Sequence, residues 1–273
     1  MNEQRYIDLL KLVLTDLHRI EHYEYKPIYT GAGWKKYVIH IINKQLRGRN
    51  LVLCKAIKPK REDRVNGLDW PANAETMIGL KRLENIEYCI KKIIENNIPG
   101  DLIETGVWRG GASIFMKAVL KTSSHNDRKI WLADSFLGLP KPDESIYEKD
   151  VGDEHYLQKE LKVSLESVKN NFSKFDLLDD NIMFLEGWFK DTLPLAPIEK
   201  LALIRLDGDM YESTMDGIYN LYPKLSKGGF LIVDDWGAVK GCQDAIMDYR
   251  TQFNISDTIV PIDQSSVYWV KTD

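Results

Sequence analysis

Apolar runs that end in acidic residues are the feature that most constrains this sequence. The acidic residues at or near the ends of these runs are Glu104, Asp134, Glu186, Asp207 and the pair Asp234-Asp235. Apolar runs that alternate with stretches of helical periodicity predict a doubly wound, mostly parallel α/β sheet. Because ligands bind beyond the carboxyl ends of the strands in such sheets, we expect an acidic site at that edge.

The same patterns predict the boundaries of the elements. Strands, apolar throughout, are predicted over Asp101–Val107, Lys129–Ala133, Asn181–Leu185, Leu201–Leu206 and Gly229–Val233. Helices are predicted over Tyr6–Leu17, Met77–Asn97, the stretch from Gly111 to Lys121, Ser164–Phe172, Ser213–Leu225 and Cys242–Phe253. The runs Thr258–Ile262 and Ser266–Lys271 are predicted to pair as a C-terminal antiparallel hairpin.

The first 70 residues differ from the rest of the chain. They contain one helical stretch and then a segment rich in aromatic and basic residues, which Asp69-Trp70-Pro71 ends with a break signal. The basic run from Lys55 to Arg64 is expected to be a solvated loop. We predict that residues 1–70 form an N-terminal helical extension, acting as a lid or as a contact between subunits of a homo-oligomer, and that residues 71–273 form the main domain.

Composition excludes several classes of protein. The net charge of −4 argues against a dedicated nucleic-acid-binding domain. No apolar run approaches the roughly 18 residues of a membrane-spanning helix, and the N-terminal sequence does not match a signal peptide. The odd cysteine count, 3, and the lack of metal-binding spacing predict a reduced, cytoplasmic protein.

A glycine turn follows the first predicted strand, in the sequence Glu104-Thr105-Gly106. Glycine permits a tight turn and a close approach of the backbone to a ligand, although the turn lacks the dinucleotide-binding G-x-G-x-x-G pattern. The Glu104 carboxylate suits a cationic cofactor, and Asp134 is placed to accept hydrogen bonds from two ribose hydroxyls. Together these residues predict binding of S-adenosylmethionine.

A second acidic group joins Asp207 to the pair Asp234-Asp235. Adjacent strand ends would bring these carboxylates together, where they repel one another unless a cation neutralises them. Ligands that are all oxygen favour Mg²⁺ over Zn²⁺. The alternative is a solvated acidic rim without a bound ion. The string from His18 to His22 matches an H-x-x-E-H zinc motif, but no third ligand supports a zinc site there.

Several motifs occur in an order that resembles the macrocin O-methyltransferase (TylF) family. They are Asp69-Trp-Pro-Ala-Asn-Ala-Glu-Thr76-Met77, Glu104-Thr-Gly-Val-Trp-Arg-Gly-Gly, Asp134-Ser-Phe-Leu-Gly-Leu-Pro, Glu186-Gly-Trp188-Phe, Arg205-Leu-Asp-Gly-Asp-Met-Tyr-Glu-Ser-Thr and Asp234-Asp-Trp. The resemblance implies a class I, Rossmann-like methyltransferase fold, S-adenosylmethionine as the methyl donor, and Mg²⁺-dependent methylation of a hydroxyl.

The resemblance also implies roles for particular residues. Those expected around the donor are Thr76, Met77, Glu104, Thr105, Gly106, Asp134, Ser135, Gly187 and Trp188. The metal is expected on Asp207, Asp234 and Asp235.

The predicted reaction transfers a methyl group to a small-molecule acceptor. The resemblance implies a sugar hydroxyl of a macrolide or aminocoumarin natural product, and a phenolic acceptor is the alternative. Asp209 is the candidate base, with Asp207 as the alternative. A non-catalytic cofactor-binding module on the same fold is a further alternative, because a fold does not by itself determine a function.

Overall fold

The structure, a computed structural model, describes residues 3–28, 34–143 and 145–273. The chain divides into a larger unit, which comprises the residues up to Lys11 and Lys81–Asp273, and a smaller unit, Leu12–Leu80. The Gly31-Ala-Gly33 part of the predicted extension lies outside the described residues. Within the described ranges, no helix is long and apolar enough to cross a membrane.

The N-terminal region contains a small antiparallel sheet in addition to helices. Its elements are α1 (Glu3–Leu14), β1 (Glu24–Pro27), α2 (Lys35–Arg47), β2 (Cys54–Ile57) and α3 (Arg61–Asn66). The first helix matches the prediction and begins three residues earlier, whereas the β1–β2 pair was not predicted. Strands of four residues carry little periodic signal, so sequence patterns do not reveal them.

The lysines of the basic run from Lys55 to Arg64 are exposed, as predicted, but the run is not a loop throughout. It contributes to β2 and α3, and Arg64 is buried. The Arg64 guanidinium lies 2.6 Å from Glu24 and 2.6 Å from Asp69, and it donates to the carbonyl oxygen of Thr15 at 2.9 Å. The two carboxylates compensate for the removal of the guanidinium from water. The charge pattern of the local sequence does not predict this burial.

Seven strands form the sheet of the larger unit. They are β3 (Asp101–Thr105), β4 (Ile130–Asp134), β5 (Ile182–Glu186), β6 (Leu201–Leu206), β7 (Leu225–Val233), β8 (Val260–Pro261) and β9 (Val267–Val270). The helices are α4 (Leu80–Glu95), α5 (Gly111–Thr122), α6 (Leu165–Lys174), α7 (Phe189–Thr192), α8 (Tyr211–Leu221) and α9 (Lys240–Gln252). The predicted α/β architecture is therefore confirmed, with boundaries shifted by a few residues at most helix and strand ends.

The order of the strands is β5-β4-β3-β6-β7-β9-β8. The strands from β5 to β7 are parallel, and β9 pairs antiparallel with both β7 and β8. The predicted C-terminal hairpin is thus confirmed. The chain reverses its winding direction between β3 and β6, and the carboxyl ends of strands at such a switch point are where open α/β sheets bind ligands.

Helices cover the sheet and bury its strands. The residues from Gly111 to Leu120 in α5 are all buried, as expected for a helix that is apolar around its circumference. Two of the buried strands are not apolar throughout, which corrects the prediction. Glu104 lies within β3 and Arg205 within β6, and each is 1% exposed. Charged residues so deeply buried require partners.

Candidate active site

The turn after β3 brings the backbone of two strand ends together. Gly106 has a φ of +77°, and a Cβ at this position would lie 1.8 Å from the carbonyl oxygen of Asp207. The Asp207 amide donates to the carbonyl oxygen of Thr105 at 3.0 Å. Only glycine fits this contact, so the chain needs Gly106 to place the end of β3 beside the end of β6.

Asp134, at the end of β4, shapes the same turn. Its two carboxylate oxygens accept hydrogen bonds from the amides of Val107 and Phe136, each at 2.7 Å. Burial raises the pKa of Asp134, and these amide donors oppose the rise. Each carboxylate oxygen has a further lone pair, so the residue can still accept bonds from a ligand.

The turns after β4 and β5 lie next to one another. The amide of Gly187 donates to the carbonyl oxygen of Asp134 at 2.9 Å, and Trp188 immediately precedes α7. The Ser135 hydroxyl donates to the carbonyl oxygen of Gly138 at 2.7 Å and accepts from the amide of Leu137 at 3.0 Å. Asp134, Ser135, Gly187 and Trp188 therefore follow two paired strands at the same edge.

Thr76 and Met77 belong to the smaller unit. Thr76 is buried, and its hydroxyl accepts a hydrogen bond from the amide of Ile78 at 3.3 Å. Its amide donates to the carbonyl oxygen of Leu14 at 3.3 Å, which ties this turn to the end of α1. Their contact with the donor stays a prediction.

The carboxylates of Asp207, Asp234 and Asp235 converge. One oxygen of each lies within 4.8 Å of the others. Parallel pairing of β6 with β7 produces this convergence, because Asp207 and Asp234 directly follow the paired residues Leu206 and Val233. Among the described residues, this is the one group of His, Cys, Asp and Glu side chains close enough to hold a metal, and the His18–His22 string forms no such group.

Asp234 is neutralised within the protein. One oxygen lies 2.7 Å from Nη2 of Arg205, and the other lies 2.6 Å from Nη1 of Arg82. Burial alone would raise the pKa of Asp234, but these two guanidinium groups outweigh it and lower the pKa. Asp234 is therefore ionised and held in a fixed orientation.

The negative charges of Asp235 and Asp207 are less fully neutralised by protein groups than the charge of Asp234. Burial, followed by the charges of Asp209, Asp207 and Asp234, raises the pKa of Asp235 well above its ordinary value. Burial also raises the pKa of Asp207, and Arg205 opposes the rise. The excess negative charge and the all-oxygen donor set both fit a hard divalent cation such as Mg²⁺.

Asp209 adjoins this cluster in a strained conformation. Its φ is +54°, a left-handed value that is uncommon for residues other than glycine, and its amide donates to an Asp235 oxygen at 3.2 Å. Burial and the charge of Asp207 raise the pKa of Asp209 to about 7, while His155 opposes the rise. Backbone strain of this kind often occurs at functional sites.

Glu104 is fully engaged inside the protein. Its Oε1 accepts from Nη1 of Arg205 at 2.6 Å, and its Oε2 accepts a short hydrogen bond from the Ser113 hydroxyl. Burial raises the pKa of Glu104 to about 7, and Arg205 opposes the rise. The residue follows the predicted placement at the end of a strand, but its nearest partners are protein groups.

Sequence reasoning missed the arginines of this network. Arg205 lies in one family motif and Arg82 in the continuation of the Thr76-Met77 motif, but the sequence predicts no role for either. Arg205 carries a usable signal, because an arginine inside the run Leu201–Leu206 has to be neutralised. Arg82 has no such signal, since its partners Asp234 and Asp263 are 152 and 181 residues away in the chain.

Comparison with known proteins gives the family. The family model of macrocin-O-methyltransferase (TylF) matches residues 3–271. A demethyldecarbamoylnovobiocin O-methyltransferase from Streptomyces niveus is 52% identical over 217 residues, which cover 78% of this chain and 82% of the relative.

A second relative, from Streptomyces olivaceus, is the 8-demethyl-8-(2,3-dimethoxy-alpha-L-rhamnosyl)-tetracenomycin-C 4'-O-methyltransferase. It is 44% identical over 277 residues, which cover 98% of this chain and 92% of the relative. The solved structure of the O-methyltransferase NovP superposes with a TM-score of 0.83 at 44% identity, over 100% of both chains.

The family model and the NovP structure cover the whole fold, including the residues of the strand-end motifs. They confirm the class I methyltransferase fold and the family resemblance read from the sequence, and they set aside the non-catalytic alternative. The chain belongs to the macrocin-O-methyltransferase (TylF) family and is an O-methyltransferase.

Proposed function

We propose that the protein transfers the methyl group of S-adenosylmethionine to a sugar hydroxyl of an antibiotic natural product, with Mg²⁺ as a cofactor. The observation that carries this proposal is the convergence of Asp207, Asp234 and Asp235 beside the Gly106 turn. A site for a cation thus adjoins a turn suited to the donor, an arrangement that suits O-methyl transfer to a weakly acidic hydroxyl.

Support for the acceptor comes from the relatives. One is named for a demethyldecarbamoylnovobiocin substrate, and the other for a tetracenomycin that carries a rhamnosyl group. Both substrates are natural products, and we extend that class of acceptor to this chain. The three cysteines are free, which agrees with the cytoplasmic location that we propose.

In the proposed donor site, Gly106 and Thr105 let the backbone approach the donor, while Asp134 accepts hydrogen bonds from the ribose hydroxyls. Glu104 supplies negative charge near the cationic end of the donor. Gly187 and Trp188 border the adenine, and Ser135, Thr76 and Met77 are the further residues that we assign to donor binding. S-adenosylmethionine supplies an electrophilic methyl group on a positively charged sulfur.

In the proposed metal site, Asp207, Asp234 and Asp235 hold the ion. Mg²⁺, when bound, supplies Lewis-acid activation and orientation of the acceptor hydroxyl. Arg82 and Arg205 hold Asp234 in place, so the protein fixes the direction in which this carboxylate points. Such outer partners of ligand side chains tune metal sites.

In the transfer step, the acceptor oxygen forms a bond to the methyl carbon while the sulfur–methyl bond breaks. The hydroxyl proton passes to the carboxylate of Asp209, with Asp207 as the alternative base. A buried carboxylate next to the proposed metal ligands is suited to accept this proton as a general base. Holding both reactants in one geometry supplies much of the remaining rate.

A turnover experiment tests the proposal. Protein stripped of metal is incubated with labelled S-adenosylmethionine and a panel of glycosylated antibiotics, free sugars and phenols. We expect methyl transfer to a glycosylated acceptor only when Mg²⁺ is added back. Full activity in rigorously metal-free protein would contradict the metal mechanism, and turnover confined to phenols would contradict the sugar acceptor.

A further inference from the structure

Arg205 is a buried arginine at the centre of the sheet. It lies in β6, where the register pairs it with Glu104 of β3 on one side and with Ile232 of β7 on the other. Side chains alternate between the faces of a strand, so Arg205 and Asp207, two residues apart, lie on the same side. The paired residue Glu104 shares that side, which brings all three side chains together.

The guanidinium of Arg205 contacts carboxylates that belong to three strand ends. Its Nη1 lies 2.6 Å from Glu104 Oε1 and 2.9 Å from Asp207 Oδ2, while its Nη2 lies 2.7 Å from Asp234 Oδ1. Glu104 is on the side of the sheet edge where we place the donor. Asp207 and Asp234 are two of the proposed metal ligands. One side chain therefore connects the two halves of the site.

Arginine is suited to this position for geometric reasons. Its planar guanidinium presents several N–H groups in a rigid fork, whereas the ammonium group of lysine is a single point charge on a flexible stem. A single nitrogen cannot make the contacts that Nη1 and Nη2 divide between Glu104 and Asp234. Charge neutralisation alone would accept either residue, but in this arrangement the two terminal nitrogens of the fork divide the three carboxylates between them.

We propose that Arg205 is a positioning residue that aligns the donor site with the metal site by holding Glu104, Asp207 and Asp234 in one arrangement. This inference rests on the proposed function. The reaction needs the acceptor oxygen and the methyl carbon close together and aligned, so the relative placement of the two sites matters as much as either site. A buried hub that contacts both sites holds that placement.

The variant Arg205→Lys tests the role because it keeps the charge and removes the fork. Calorimetry measures binding of S-adenosylhomocysteine and of Mg²⁺ to the full chain, and turnover measures kcat and KM. We expect Mg²⁺ affinity to fall about 10- to 100-fold, as changes to the outer partners of metal ligands do. Donor-product affinity should fall about tenfold, the equivalent of one hydrogen bond. We also expect KM to rise and kcat to fall.

Arg250→Lys is the matched control. Arg250 is also a buried arginine of the larger unit, and it donates to the carbonyl oxygen of Asp257 and lies over the ring of Trp269, away from the acidic residues of the site. This variant should lose thermal stability without a change in either affinity. A merely structural role for Arg205 would give the same result in Arg205→Lys.

A second variant keeps the inference testable if Arg205→Lys does not fold. The double variant Arg205→Met, Glu104→Gln removes one charge of each sign, which limits the charge imbalance that the loss of Arg205 leaves at Asp207 and Asp234. We expect it to fold and to bind Mg²⁺ about 10- to 100-fold more weakly than the unmodified protein. Unchanged Mg²⁺ affinity and kcat in either folded variant would overturn the role of Arg205. Absence of Mg²⁺ binding in the unmodified protein would instead contradict the proposed metal site, and with it the alignment role of Arg205.

Discussion

The carboxylate of Asp150 caps helix α8, because its Oδ1 accepts a hydrogen bond from the amide of Tyr211 at 2.7 Å. Its Oδ2 accepts a second bond, from the amide of Glu212 at 2.9 Å. Asp150 is buried and lies in the long connection between β4 and α6. The cap therefore fastens this connection to the helix that begins just after the Asp207–Asp209 turn. A negative charge also interacts favourably with the amino end of a helix.

The variant Asp150→Ala should destabilise the protein by about 1–2 kcal/mol, the ordinary cost of losing a helix cap. The lost bonds should also release the connection, so amide hydrogen exchange over residues 145–161 should accelerate. Urea unfolding and exchange measured by mass spectrometry provide the two readouts. Asp153→Ala is the control, because the Asp153 carboxylate bonds to a near neighbour in the chain, through the amide and ring of His155. Unchanged exchange in Asp150→Ala would contradict the fastening role.

The variant Asp235→Asn should remove Mg²⁺ binding while it preserves the fold. Burial and the neighbouring carboxylates raise the pKa of Asp235, so the metal-free protein disfavours a negative charge there, and asparagine is neutral and has nearly the same shape. We expect Mg²⁺ affinity to fall by more than the roughly 10- to 100-fold loss caused by changes to outer partners of a metal site. Calorimetry should show wild-type binding of S-adenosylhomocysteine.

Asp234→Asn provides the contrast. It removes the negative charge that both Arg82 and Arg205 contact. Breaking a buried ion pair costs about 3–5 kcal/mol. Chemical unfolding should therefore separate the two variants clearly, with Asp235→Asn the more stable. Equal stability would argue against the arginine pairing.

The variant Asp134→Ala should weaken donor binding severely. A hydrogen bond to a charged group contributes about 1.5–3 kcal/mol, which corresponds to roughly 10- to 150-fold in affinity. The same change frees the amides of Val107 and Phe136, so the turn should loosen as well. Asp143→Ala, at an exposed carboxylate bonded to Ser145, is the control. Donor binding that equals the wild type in calorimetry would remove Asp134 from the site.

The stability of the metal-free protein should fall as the pH rises from about 5 to 7. In the folded state, burial raises the pKa of Asp209 and of Glu104 to about 7, above the ordinary carboxyl range. Between the ordinary carboxyl pKa and pH 7, the folded state therefore binds more protons than the unfolded state. Under that condition the free energy of unfolding decreases with increasing pH. The raised pKa of His155 acts in the same direction.

Urea titrations at several pH values measure this slope. Asp209→Asn should reduce it, and saturating Mg²⁺ should do the same because a cation favours the ionised carboxylates. A slope that neither change affects would show that the acidic site is not its source.

The N-terminal region should become protected when the site is filled, if residues 1–70 act as a lid over the acceptor. Lids of this kind order on binding and can set the rate of turnover. Hydrogen exchange over the smaller unit should slow when donor product and acceptor are both present. If the region instead contacts a neighbouring subunit, protection should depend on protein concentration and not on ligands.

The alternation of strands and helices was predictable from the sequence because it depends on local periodicity. β6 has the predicted bounds Leu201–Leu206, and the acidic residues occupy the strand ends as expected. The grouping of Asp207 with Asp234 and Asp235 was predictable for the same reason, since parallel pairing brings the ends of neighbouring strands to one edge. The strands β1 and β2 are too short for periodicity to predict them.

What the sequence determined by itself is the order of the elements and the acidic edge of the sheet. Both follow from side-chain spacing within a few residues. The tertiary structure decided how that acidity is held: Arg82 reaches Asp234 across 152 residues, and Arg205 joins three strand ends. Neither pairing could be predicted, because the geometry of the packed elements, and not the distance along the chain, determines which groups a buried charge contacts.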